Sequence, residues 1–157
     1  MEADLPEEEK RGFRFLYRTD KGSIDRATWW KGTVPLAVIA VAATALWLVV
    51  RPYTHDALNQ KPAMALMAYL YLLIFAFGTL LLLVCEYNLS AKRFFARGLP
   101  RALAAVFPLS LLLAGACDWY IPRSNGALPG WSIWLVLIVV AGVVIWNVIE
   151  LGVRQVR

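Results

Sequence analysis

Lys92, Arg93 and Arg97 stand in the stretch Ala91-Lys92-Arg93-Phe94-Phe95-Ala96-Arg97, at spacings that place all three on one helical face. Ala91, Phe94, Phe95 and Gly98 share the other face. A guanidinium carries a planar fork of donors that matches phosphate or carboxylate, so this pattern can grip an anion. A second group, Arg26 with Trp29 and Trp30, precedes a long apolar run, where indole rings sit at headgroup level. These residues (Arg26, Trp29, Trp30, Lys92, Arg93, Phe94, Phe95 and Arg97) are the candidate contacts for an anionic lipid headgroup or an acidic partner surface.

Other reactive residue types are sparse. Glu86 and Glu150 fall at the ends of two apolar runs, where ion pairing is the expected role, Glu86 with Lys92 or Arg93. His55, the only histidine, is followed by Asp56, and one such pair cannot complete a metal site. No nucleophile elbow, HExxH, CxxC or glycine-rich phosphate loop occurs. The chain therefore reads as a non-enzyme with no catalytic residue, no metal site and no cofactor.

The elements that carry these residues follow from four runs without Asp, Glu, Lys, Arg or His: 33–50, 63–84, 102–116 and 131–149. About 20 apolar residues in a helix cross the ~30 Å hydrocarbon core, and the third run reaches that length by continuing through Trp119 and Tyr120 to residue 121. Of the 157 residues, 60% are hydrophobic, too many for the polar surface of a soluble bundle to cover. The sequence predicts an all-α, polytopic membrane protein with four transmembrane helices, and a short cytoplasmic amphipathic helix between spans two and three. Residues 1–20 read as an acidic, flexible cytoplasmic tail and 21–157 as the four-span domain. Within the first part, "GFRFLYR" alternates aromatic and basic residues, which suits either a membrane surface or an arm packed on the protein. Ser23 is the expected cap of the first long helix, with Asp25 in its first turn.

A net charge of +5 would suggest nucleic acid in a soluble protein, but here the basic residues follow the topology instead. Residues 1–32, 85–101 and the C-terminal tail hold seven, four and two of the 16, against two in 51–62 and one in 117–130. Lys and Arg collect on the cytoplasmic side, so both termini are expected there, with no nucleic acid as partner. Cys85 and Cys117 then lie at opposite membrane faces, about 30 Å apart, where a disulfide needs Cα atoms within about 7 Å. Gly98 followed by Pro100 reads as a helix stop, and Pro108 as a candidate kink in the third span.

Two segments carry a resemblance. Gly22, Ile24, Arg26 and Trp30 in "GSIDRATWW", then Lys92, Arg93, Phe94 and Gly98 in "AKRFFARGLP", resemble the two motifs of the small bacterial inner-membrane family called domain of unknown function 805. Ser23 stands where that family has arginine, and Phe95-Ala96 replace its His-Asp pair. The family has no assigned activity, so the resemblance implies an architecture: four spans, one motif before the first and one between the second and third. The expected function is a non-catalytic membrane protein that binds anionic lipids and another integral membrane protein, as an accessory or assembly subunit of a larger complex. A small-solute transporter or channel acting as a homo-oligomer is the alternative, and it would need a polar stripe along a span.

Overall fold

The computed structural model describes residues 12–54, 62–121 and 128–154; His55 and Asp56 lie outside them, as do residues 1–11 of the expected tail. The described residues form five α-helices and no strand: α1 (Phe13–Arg18), α2 (Arg26–Val50), α3 (Pro62–Ala96), α4 (Val106–Tyr120) and α5 (Ser132–Asn147). Short 3-10 turns follow α2 (Arg51–Thr54) and precede α4 (Arg101–Ala105), and α5 runs on into a π-helical segment, Val148–Val153. With these extensions α2 to α5 are long and apolar enough to cross a membrane. The chain is a multi-pass membrane protein.

Several helix ends have a local cause. Asp25, not Ser23, caps α2: its carboxylate accepts the Thr28 main-chain N–H at 3.1 Å, and the helix starts at Arg26. At the other end of α3 the chain turns through Gly98 at φ 72°, a left-handed conformation that suits glycine. The Leu99 N–H returns to the Phe94 carbonyl at 3.0 Å and the Gly98 N–H to that of Phe95 at 2.9 Å. Pro108 lies in the first turn of α4, where a missing N–H costs little.

The separate amphipathic helix expected between spans two and three does not exist. Residues 88–96 continue α3 without a break, because nothing between Cys85 and Ala96 stops a helix. A helix of 35 residues is about 52 Å long, so its last turns stand beyond a ~30 Å hydrocarbon core. Likewise, part of the segment expected to be loose is ordered: residues 13–18 form α1, seated against α3.

The spanning helices pack as two antiparallel pairs, α2 with α3 and α4 with α5. Within the first pair the Tyr71 hydroxyl donates to the Ala43 carbonyl at 2.7 Å, and Trp47 stacks on Phe75. Tyr69 donates to the Thr54 carbonyl at 2.9 Å. Both tyrosines, for which the sequence offers no obvious partner, thus bond across helices to main-chain oxygen. Along the spans few side chains are buried: in the most apolar windows of α2, α3, α4 and α5 the buried shares are 0%, 11%, 11% and 6%. The main core lies at one end instead, where Ile24, Trp29, Leu89, Ala91, Phe94, Ala104 and Leu151 pack together. We call this the basic end.

Candidate functional site

The last turns of α3 set the geometry of the basic end. Helical periodicity sends Asn88 and Lys92, four residues apart, to one flank, and Arg93 and Arg97, also four apart, to another.

The first flank holds α1. Lys92 Nζ donates to the carbonyl of Phe15 and, at 2.9 Å, to that of Leu16; Asn88 Nδ2 donates to the Tyr17 carbonyl at 2.8 Å. These oxygens belong to the last turn of α1, which no residue within that helix can satisfy. Lys92 Nζ also lies 4.8 Å from the centre of the Phe15 ring. From α1, the Tyr17 hydroxyl reaches the Gly32 carbonyl of α2 at 3.1 Å. Burial pushes the Tyr17 phenol above its ordinary range, with the neighbouring Cys85 and Glu86 adding to the shift, so the group stays a donor at neutral pH.

The second flank holds the end of α5. Arg93 Nε donates to the Leu151 carbonyl at 3.1 Å and its Nη2 to that of Arg154 at 3.0 Å. Arg97 Nη1 donates to the Glu150 carbonyl at 2.5 Å and to its carboxylate, and Arg154 closes on the same carboxylate at 2.8 Å. Trp30 supplies the Gly152 carbonyl with its indole N–H at 3.1 Å. Carbonyls 150, 151 and 152 are thus each capped by a side chain from α2, from α3 or from the turn after α3, and the cations sit where the helix dipole is negative. One stretch of α3 therefore caps the C-terminal ends of two helices at once.

Between the flanks runs a chain of neutral donors. Trp29 Nε1 donates to Ser90 Oγ at 3.3 Å, Ser90 Oγ to Glu86 Oε1 at 2.8 Å, and Thr33 Oγ1 to Glu86 Oε2 at 3.2 Å. The expected pairing of Glu86 with Lys92 or Arg93 does not form, because both cations turn to main-chain oxygens. Glu150 is ion-paired as expected, with Arg97 and Arg154.

The candidate contact residues separate into two sets. Trp29, Lys92, Arg93 and Phe94 are at most 1% exposed, so they face neither lipid headgroup nor partner; their expected role is corrected to an internal one. Phe94 stacks on Trp146 of α5 at 5.7 Å between ring centres. Arg97 is half-buried and bonded to Glu150. Arg26, Trp30 and Phe95 remain exposed, Phe95 beneath the Arg101 guanidinium at 4.1 Å. The sequence offers Asn88 or Ser90 as the cap of a short helix, but both lie inside α3 and bond to Tyr17 and Glu86; for Thr33, Tyr17 and the two close-packed glycines, Gly32 and Gly152, it offers no role. The four-residue spacing of Glu86 and Ser90 is the one local signal that pointed to any of these bonds.

Among the described residues no three His, Cys, Asp or Glu side chains come together as a metal site would require. Arg51 and Asp118 pair at 3.4 Å at the opposite end, joining α2 to α4. No family model, curated protein or solved structure matches the chain. Ile24, Arg26 and Trp30 fall at the basic end, as do Lys92, Arg93 and Phe94.

Proposed function

We propose that this chain is a non-catalytic subunit of the bacterial inner membrane, with both termini in the cytoplasm, that binds another integral membrane protein through the sides of its spans. The observation that carries this reading is the contrast between the two regions. At the basic end the forked donors of Arg93 and Arg97 are engaged by carbonyls and a carboxylate of the same chain. Along the spans almost nothing is buried, and the two helix pairs contact each other chiefly near the basic end. A bundle complete in itself would bury a stripe along each helix. Ala37 and Thr44 form an exposed part of a small-residue strip on α2, the kind of surface that lets a second helix approach closely.

The test is purification from native membranes in mild detergent, with a photo-crosslinking residue placed at Ala37 and, as control, at Ala43, whose carbonyl is already engaged by Tyr71. A single integral membrane protein crosslinked from Ala37 and not from Ala43 is the expected result. Recovery of an uncrosslinked monomer from both positions refutes the subunit reading.

A further inference from the structure

Helix α1 is held at the height where the apolar run of α2 begins. The Tyr17 hydroxyl bonds to the Gly32 carbonyl, and Thr33 opens the charge-free run. Lys92 and Asn88 fix the arm from its other side. A boundary between charged and charge-free helix marks the level at which headgroups meet hydrocarbon, so α1 lies at headgroup depth.

The residues turned outward there have a consistent chemistry. Phe13 is 66% exposed, and Arg14, Arg18, Lys21, Arg26 and Lys31 are all exposed. None of these cations makes an ion pair with a described residue. Among the described residues the nearby acids are Asp20 and Asp25, and the Asp25 carboxylate is engaged by the Thr28 N–H. Arg26 is six residues from Gly32, about 9 Å along the helix, so the charges span roughly the depth of a headgroup layer.

We infer that α1 and the first turns of α2 form a docking surface for anionic phospholipid headgroups of the leaflet at the basic end. Arg14, Arg18, Lys21, Arg26 and Lys31 supply the charge, and Phe13 reaches toward the acyl chains. An acidic soluble protein fits less well, because the surface lies level with the start of a span and carries an exposed aromatic ring at that depth. Lys92 and Asn88 are positioning residues: they touch no lipid and hold the arm level. The surface is separate from the span faces proposed to meet another protein, and the test needs no partner.

The full chain is reconstituted in nanodiscs of phosphatidylcholine and phosphatidylglycerol in about a 3:1 ratio, and the association of spin-labelled versions of each lipid is compared. The native protein is expected to prefer phosphatidylglycerol, less so as salt is raised. Combining Arg14→Gln, Arg18→Gln, Lys21→Gln and Lys31→Gln, all at exposed positions, should lower that preference at least about tenfold. Lys92→Met with Asn88→Ala keeps every exposed cation but releases the arm, and should lower it part of the way. No preference in the native protein, or an undiminished one in the fourfold variant, overturns the proposal. So does displacement of labelled lipid by inorganic phosphate but not by chloride at equal ionic strength, which would assign the surface to a soluble phosphate.

Discussion

Arg93 and Leu151, 58 positions apart in the chain, are joined by a 3.1 Å hydrogen bond from the guanidinium Nε to a main-chain carbonyl. A second arm of the same guanidinium reaches the Arg154 carbonyl at 3.0 Å. A positive charge that is 1% exposed is thereby balanced by the negative end of a helix and not by a carboxylate of its own.

Two arginine-to-lysine exchanges should therefore behave in opposite ways. Arg93→Lys offers one point of donation where two carbonyls wait, and should lower unfolding stability by about 2 kcal/mol. Arg26→Lys, at an exposed position, should change it by less than about 0.5 kcal/mol. Thermal unfolding of the detergent-solubilised variants reads both, and equal effects would contradict the buried cap.

The glycines at the basic end differ in what surrounds them. A Cβ on Gly152 would lie 2.7 Å from the Trp30 ring, which is held there by its bond to the Gly152 carbonyl, and 3.1 Å from that of the buried Trp29. On Gly32 it would meet the methyl ends of Leu89 at 2.8 and 3.0 Å, which can turn. Gly152→Ala should cost about 1–3 kcal/mol, and Gly32→Ala less, in the same unfolding measurement.

How much of this end was legible in the sequence depends on the kind of partner. The spans could be read because four charge-free runs of helical length suit hydrocarbon and little else, and the stop after Ala96 because Gly98 and Pro100 mark it. The partners of Lys92 and Arg93 could not, because their acceptors are main-chain carbonyls, and a carbonyl looks the same at every position. Periodicity placed Lys92 and Arg93 on one broad face. With 3.6 residues per turn, adjacent residues stand about 100° apart, enough for one to meet α1 and the other the end of α5. Nor does any pattern in "GFRFLYR" show that its carbonyls would be the part bound.

Acid should weaken the start of α2. Hydrogen bonding from Thr28 holds the Asp25 carboxyl below its ordinary value, so its contribution is complete above pH about 4 and is lost as the pH falls through the lowered value. Asp25→Asn keeps a cap that does not titrate, and its unfolding temperature should drop less between pH 7 and pH 3 than that of the native chain. Asp25→Ala should cost about 1 kcal/mol at pH 7. An identical acid response in the native protein and the Asn variant would refute the assignment.

Orientation can be read by labelling. In a background carrying Cys85→Ser and Cys117→Ser, a cysteine at Tyr53, exposed at the end opposite the basic one, should react with an impermeant reagent outside intact cells. A cysteine at Ser23, exposed at the basic end, should not. The reverse pattern would invert the proposed topology.

The two native cysteines are free thiols, Cys85 beside Glu86 at the basic end and Cys117 beside Asp118 at the other. The purified protein should migrate identically on gels with and without reductant. A mass corresponding to a Cys85–Cys117 bond would overturn the pairing of the helices.

The caps at the end of α5 also impose an order on biosynthesis. Leu151 is polymerised 58 residues after Arg93. At 5–20 residues per second that interval is about 3–12 s. Until it ends, the Arg93 guanidinium is without the acceptors that hold it in the finished chain. A chain that ends before residue 151 thus lacks the acceptors of Arg93, and its basic end is left open.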